Sequence, residues 1–288
     1  MTIRPNGVVI TGASTGIGAA CARYLDARGF RVFAGVRNQA DGDALQAQSS
    51  SRLTPVRIDV TDRDSISAAA DTIQAVVGEA GLAGLVNNAG IAVGGPLEVL
   101  PLDELRRQLE VNVIGQVAVT QAFLPMLRKG CGRIVNMGSI AGRTTMPFLG
   151  PYSMSKFALE AMTTALRLEL DTWGIEVSIV EPGAIATPIW EKSGKAGDAL
   201  RTTVQHEALP LYSEHLACLR RVVAEAERRA ISADAVAKAV EHALTARRPK
   251  THYLVGSDAK FRALLSALLP QRVQDAMLRR YFKFPRRH

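Results

Sequence analysis

Tyr152 and Lys156 stand four residues apart in the run Tyr152-Ser153-Met154-Ser155-Lys156. On a helix that spacing puts both side chains on one face, about one turn or roughly 6 Å apart. An ammonium so close favours the phenolate, so the phenol can exchange protons nearer neutral pH than its ordinary value of about 10 allows. Upstream, Ser139 follows a strand-like run, Arg133–Met137, which puts its hydroxyl at a strand C-terminus. Carbonyl reduction needs a hydrogen-bond donor on the oxygen, a proton source and a hydride. Ser139 and Tyr152 are of the right type for the first two. The hydride has to come from elsewhere.

A source for it is suggested near the start of the chain. The first apolar run leads straight into Thr11-Gly12-Ala13-Ser14-Thr15-Gly16-Ile17-Gly18, followed by a helix-forming stretch. Glycines in such a turn let it close tightly and let the backbone approach a pyrophosphate, whose charge then meets the free N–H groups and dipole of the helix N-terminus. Between a first strand and a first helix, the pattern reads as a dinucleotide site. The acid that usually reads the ribose of such a cofactor should close the second strand. That position is Val36, with Arg37 next. Valine cannot accept from a 2′-hydroxyl, whereas a guanidinium can grip a 2′-phosphate, so NADP(H) is favoured and NAD(H) remains possible. Asp59, closing the third apolar run, suits an adenine contact or a cap for the helix that begins near Asp62.

The elements that must position these groups alternate. Short apolar runs at Gly7–Thr11, Arg31–Val36, Leu53–Asp59, Gly84–Asn87, Arg133–Met137, Glu176–Glu181 and His252–Val255 read as buried parallel strands. Helical stretches near 17–28, 64–79, 102–129, 152–172 and 233–246 lie between them. The alternation predicts an α/β, Rossmann-type, doubly wound, mostly parallel sheet in three α/β/α layers. It covers residues 1–256 as one domain, with a helical lid inserted at about 188–230 and a basic amphipathic extension over 257–288.

Composition agrees with a packed protein: 47% hydrophobic and 22% charged residues exclude a disordered or collagen-like chain. The net charge of +8 is uneven, since residues 247–288 hold eleven Lys or Arg against two acids, leaving −1 on the remainder. An electrically balanced body argues against nucleic acid as a partner. No apolar run approaches the roughly 18 residues that span a bilayer, and the N-terminal residues lack a signal-peptide pattern, so a cytoplasmic location is expected. Cys21, Cys131 and Cys218 are far apart, odd in number and without metal spacing, which reads as unpaired thiols in a reducing compartment and as no metal site.

Taken together, these motifs resemble the short-chain dehydrogenase/reductase family over essentially residues 7 to 256, in the right order and at the right spacing. Thr11–Gly18 resembles its TGxxxGxG cofactor turn, which implies contacts from Gly12, Ser14, Thr15, Gly16, Ile17 and Gly18. Asp59-Val60 resembles the adenine-side acid, and Asn87-Asn88-Ala89-Gly90 the NNAG segment that steadies the sheet and borders the cofactor. Pro182-Gly183 and Thr187 resemble the segment at the nicotinamide end. The resemblance makes Tyr152 the general acid or base and Ser139 the group that polarises the substrate oxygen. It makes Lys156 the group that lowers the phenol and holds the nicotinamide ribose, and Asn112 the holder of a relay water. It implies a homodimer or homotetramer paired through the helices that include Leu102–Leu127 and Tyr152–Asp171. The strand Phe33–Arg37 and the long tail are similar to the steroid- and retinol-active subgroup. A catalytically weak NADP(H)-binding sensor is the alternative to an enzyme.

Met146, Pro147, Phe148 and Leu149, with Leu209, Leu211, Tyr212, Leu216 and Leu219, suit a hydrophobic alcohol or ketone as substrate. His206, His215, His242 and His252 join no constellation. In the tail, Phe261, Leu264, Leu265, Leu268 and Leu269 recur at helical spacing. That face is expected to pack on the domain or a second subunit, with peripheral contact to an anionic membrane as the other possibility.

Overall fold

The computed structural model describes residues 7–189 and 207–285. Seven strands form one sheet: β1 (Val8–Ile10), β2 (Val32–Val36), β3 (Leu53–Arg57), β4 (Gly84–Asn87), β5 (Arg133–Met137), β6 (Val177–Pro182) and β7 (His252–Val255). Their order is β3-β2-β1-β4-β5-β6-β7. All neighbours pair in parallel. Strands covered on both faces must be apolar throughout, and β1 and β2 are buried at every position.

The two faces can be followed residue by residue. Val8 and Ile10 enter one core with Leu25, Val236 and Val240, whereas Val9 between them points into a second core with Ile73 and Phe123. Helix α1 (Gly16–Ala27) belongs to the first layer, and α3 (Arg63–Val77) to the second. Between them, α2 (Gln39–Gln46) has no counterpart in the sequence reading. It is only eight residues long and buries just Gly42 and Leu45, so it offers little periodicity.

The helix expected over 102–129 is three pieces: α4 (Leu102–Leu109), one π-helical turn at Glu110–Ile114, and α5 (Gly115–Gly130). Helix α6 (Gly150–Glu169) follows β5. Of the proposed insertion, the described part holds a 3₁₀ turn, Leu209–Tyr212, and α7 (Ser213–Arg228). Residues 190–206, with His206, lie outside the described residues. Then come α8 (Asp234–Thr245), α9 (Ser257–Leu268) and α10 (Gln271–Phe282). No helix among the described residues is long and apolar enough to cross a membrane. The three thiols are unpaired, and burial, with Asp234 adding to it, pushes the Cys21 thiol up to about 12.

The chain builds β1, β2 and β3 to one side, then returns to lay β4 against the free side of β1. At such a reversal the loops leaving the strand ends diverge and leave a crevice. The glycine turn and the Asn87–Gly90 segment border it.

Candidate active site

The glycine turn is held from the β4 side. The Thr11 hydroxyl oxygen accepts from the backbone N–H groups of Asn88 and Ala89, each at 3.0 Å. The Asn88 side chain donates back to the carbonyls of Thr11 at 2.9 Å and Gly12 at 3.1 Å. Gly12 has φ +64, and a Cβ there would come within 2.8 Å of the Ala89 Cα. A Cβ on Gly18 would sit on the Gly12 carbonyl oxygen. Both glycines are therefore steric requirements of this packing.

What the turn presents is a bare helix end. Asn38 and Asp62 cap α2 and α3 by accepting from backbone N–H groups. Thr15, at the N-cap of α1, makes no such bond, and the first turn of α1 holds no acid. Uncapped N–H groups at a dipole's positive end fit an anionic phosphate, so the cradle suits a dinucleotide. Ser14 and Thr15 lie on its open side, and Ile17 packs into the core beneath. Thr187 reaches the same turn, about a van der Waals contact from the position of a Cβ on Gly16.

Arg37 is exposed at the C-terminal end of β2. Asp59 does not cap α3, because Asp62 does; it accepts instead from the Thr61 backbone at 3.0 Å and hydroxyl at 2.8 Å. Burial pushes its carboxyl up. The Thr61 bonds and the nearby Arg37 and Arg57 outweigh that and hold it below its usual value. Val60 is buried against Gly115. Gly90 packs on the Asn112 amide. Pro182 ends β6, and Gly183 donates its N–H to Val255 at 2.9 Å. Asp258, from the first turn of α9, accepts from the Ala184 N–H at 2.8 Å, so the tail helps shape this loop.

Ser139, Tyr152 and Lys156 come together at the end of β5. The Ser139 hydroxyl caps the following 3₁₀ turn, accepting from Ala141 N–H at 3.1 Å, and hydrogen-bonds the Tyr152 phenol. The Lys156 ammonium is buried, donates to the Met137 carbonyl at 2.7 Å, and lies 5.6 Å from the centre of the Tyr152 ring. Burial pushes Lys156 down to about 8, with Glu160 opposing. The phenol departs from expectation: burial raises it above its ordinary value, and the Ser139 bond only partly offsets that. The lysine is anchored on a carbonyl, and desolvation dominates.

Asn112 occupies the π turn, a local widening frequent at functional sites. Its side chain brackets Ile91, donating to the carbonyl at 3.0 Å and accepting from the N–H at 2.9 Å, and also donates to Ser155 Oγ at 3.1 Å. Four residues earlier, Gln108 does the same work: it donates to Ile91 O at 3.0 Å and Ser155 Oγ at 3.3 Å, and accepts from Val93 N–H at 2.7 Å. Ser155 in turn donates to the Tyr152 carbonyl at 2.7 Å. The two amides thus lock α6 at the level of Tyr152 and Lys156. Gln108 was missed in the sequence reading; its only signal was the four-residue spacing from Asn112.

The expected substrate rim is aromatic. Phe148 packs edge-on against Tyr212 at 5.9 Å, His215 at 6.2 Å and Phe284 at 5.9 Å between ring centres. Phe148 also has φ +64, unusual for a bulky residue. The Tyr212 hydroxyl donates to Glu98 at 2.5 Å, joining this rim to the segment after β4. Leu149 and Leu216 are buried, whereas Leu211 is exposed. His215, read as belonging nowhere, is a member of the rim.

The comparisons with known proteins agree with this architecture. Residues 6–197 match the family model for short chain dehydrogenases. A curated relative, the NADPH-dependent 3-dehydrocapnine reductase of Ornithobacterium rhinotracheale, is 38% identical over 273 residues, covering 93% of this chain and 94% of that protein. Retinol dehydrogenase 5 of Mus musculus is 40% identical over 282 residues, covering 94% and 87%. Among solved structures, a short chain dehydrogenase from Burkholderia cenocepacia in complex with NADP has a TM-score of 0.73 at 28% identity, covering 96% of this chain and 99% of that one. The chain belongs to the short-chain dehydrogenase family, the steroid- and retinol-type relatives included, and is an NAD(P)-dependent oxidoreductase.

Proposed function

We propose that the protein moves hydride reversibly between NADP(H) and the carbon of a hydrophobic secondary alcohol or ketone. The observation that carries this reading is the convergence of Ser139, Tyr152 and Lys156 at one strand end of a sheet whose glycine turn leaves a helix N-terminus uncapped. When bound, the nicotinamide supplies or accepts the hydride. Tyr152 Oη gives the proton to the substrate oxygen in reduction and takes it in oxidation, and Ser139 Oγ donates to that same oxygen. Lys156 holds positive charge beneath the phenol. Asn112, with Gln108, keeps α6 at the right height.

Gly12, Ser14, Thr15, Gly16, Ile17 and Gly18 would hold the pyrophosphate of the cofactor, with Asp59 and Val60 on its adenine side. Asn88, Ala89, Gly90, Pro182, Gly183 and Thr187 would hold its nicotinamide side. Arg37, exposed where a ribose 2′-phosphate would lie, favours NADP(H) over NAD(H). Phe148, Tyr212 and His215 favour an apolar substrate. Two surfaces extend the reading. Exposed Ile114, Met154, Phe157 and Leu168 on and beside α5 and α6 suit pairing with a second copy. The exposed apolar face of the tail, rich in arginine, suits peripheral contact with an anionic bilayer.

The test is a panel of apolar ketones and aldehydes assayed with NADPH and with NADH, using the parent and Tyr152→Phe. We expect turnover that prefers NADPH and falls by about 10²–10⁴ in the variant, the range general acid catalysis supplies. NADPH binding without turnover of any carbonyl would favour a sensor.

A further inference from the structure

Tyr152, Lys156 and Glu160 recur every four residues along one face of α6. The third member has no role in the chemistry above, yet its surroundings are costly ones for a carboxyl group. Glu160 Oε2 meets His252 Nε2 on β7 at 3.2 Å, and the same carboxyl has an oxygen within 4.8 Å of a carboxylate oxygen of Glu181 on β6. Glu181 is fully buried, and both of its oxygens are taken by the Arg143 guanidinium, through Nε and, at 2.9 Å, through a terminal nitrogen. Glu160 Oε1 is buried with no donor to accept from.

Two buried carboxylates this close repel each other when both are ionised, and both are then acceptors only; a proton on one of them relieves the repulsion and supplies a donor. Arg143 neutralises Glu181, so the proton belongs on Glu160. Donor atoms of Glu160, Glu181 and His252 lie within 4.8 Å of one another, a spacing that also suits a metal ion. Any such ion would have to displace the guanidinium from Glu181, so a shared proton fits the geometry better. The charged and titratable groups facing Glu160 are Lys156 on its own helix, Arg143 after β5, Glu181 on β6 and His252 on β7, with Arg167 beyond His252. His252 is partly exposed and connects the cluster to solvent.

We infer that Glu160 is a positioning residue for the Lys156 charge: it holds a proton shared with Glu181 and, on releasing it as pH rises, becomes the counter-charge that keeps the lysine cationic. The inference rests on the reading of Lys156 as part of the catalytic set. Burial alone would strip that lysine of its proton early. An adjacent carboxylate that forms over the same alkaline range opposes the loss. Burial and the neighbouring Glu181 both act to raise Glu160, to about 8, far above the usual carboxylate range.

The test is the pH profile of kcat for alcohol oxidation in the parent, Glu160→Gln, Glu160→Asp and Tyr152→Phe. Glutamine keeps a donor for Glu181 but cannot ionise, so the alkaline limb should fall about one pH unit earlier, roughly tenfold less activity at a fixed alkaline pH. Aspartate should restore much of the limb. A lower rate across all pH values with the limb unmoved would make Glu160 a structural residue and overturn the inference. A Tyr152→Phe variant that still turned over would instead overturn the reading of the site. Carbon-13 NMR of glutamate carboxyls in the folded parent gives a second measure that needs no variant to fold. One carboxyl titrating well above the ordinary value of about 4.3 is expected; if none does, no proton is shared and the inference fails.

Discussion

The glycine turn and the aromatic rim are made of different material. In the turn the chain passes so close to itself that backbone decides what fits. Thr11 and Asn88 tie it down by four hydrogen bonds to main-chain groups, and two positions have no room for a Cβ. The rim is side-chain contact between Phe148, Tyr212, His215 and Phe284, drawn from segments far apart in sequence. The turn tolerates almost no other residue types, whereas many apolar side chains could build a rim. In the proposed function, substrate choice can therefore vary on a cofactor site that cannot.

That difference is open to breakage at either end, and the turn should break hardest. In Gly18→Val the new side chain collides with the Gly12 carbonyl and the Asn88 amide. Neither can withdraw without giving up the bonds that hold the turn. Overpacking of this kind costs about 1–3 kcal/mol, and the displaced helix end no longer aims its N–H groups at the phosphate. NADPH affinity, measured by calorimetry, should fall at least about a hundredfold while circular dichroism keeps the α/β signature. Parent-like affinity would mean that the turn is softer than its packing implies.

A smaller effect belongs to the rim. Phe284 contacts His215 at 5.0 Å, Phe282 at 5.1 Å and Phe148 at 5.9 Å between ring centres. Aromatic pairs contribute about 0.5–1.5 kcal/mol each beyond burial. Phe284→Ala should therefore raise KM for bulky apolar substrates by up to about tenfold and leave kcat for a small soluble carbonyl nearly unchanged. If kcat fell equally for both, the rim would be setting the geometry of the catalytic set as well as the fit of the substrate.

The same contrast explains what could be read from the sequence. The seven strands, the glycine turn and the Ser139, Tyr152 and Lys156 set were legible because each rests on local spacing or on residues with few substitutes. Helix α2 was not, for it buries almost nothing. The break in the helix at Glu110–Ile114 was hidden because the chain is helical on either side and no Pro or Gly falls within that stretch. The amide pair Gln108 and Asn112 owes its meaning to Ser155, more than forty residues away. The Glu160 cluster joins α6 to β6 and β7, and His252 meets Glu160 across 92 residues of chain. Such contacts follow from the order of strands in the sheet, which local patterns do not encode. The phenol was misjudged for a related reason: spacing shows that Lys156 is near, but only the packed structure shows its ammonium anchored on the Met137 carbonyl and burial raising the phenol.

The least effect on chemistry is expected farthest along the rim's own chain, in the tail. Ala259, Ala263 and Phe282 anchor α9 and α10 to the body, and Arg262 reaches back to the Thr144 carbonyl at 3.2 Å. The opposite side stays open: Phe261 is 59% exposed, Leu264 56%, Leu268 69% and Met277 42%, with Lys260, Arg272, Arg279 and Arg280 exposed among them. Apolar side chains left in water beside exposed cations are what an anionic lipid interface recognises, since the first enter the acyl boundary and the second meet headgroup charge. Joint replacement of Leu264, Leu268 and Met277 by Glu removes no buried contact and adds like charge to the bilayer's own. Flotation with phosphatidylserine-containing vesicles at low salt should capture the full-length parent and lose the variant, while turnover of a small soluble carbonyl stays within about twofold. Added salt should weaken capture of the parent, as screened charges act over about 10 Å at 0.1 M and less above it. A parent that ignores such vesicles, or a variant that shifts from dimer to monomer by light scattering, would assign this face to a second copy of the chain.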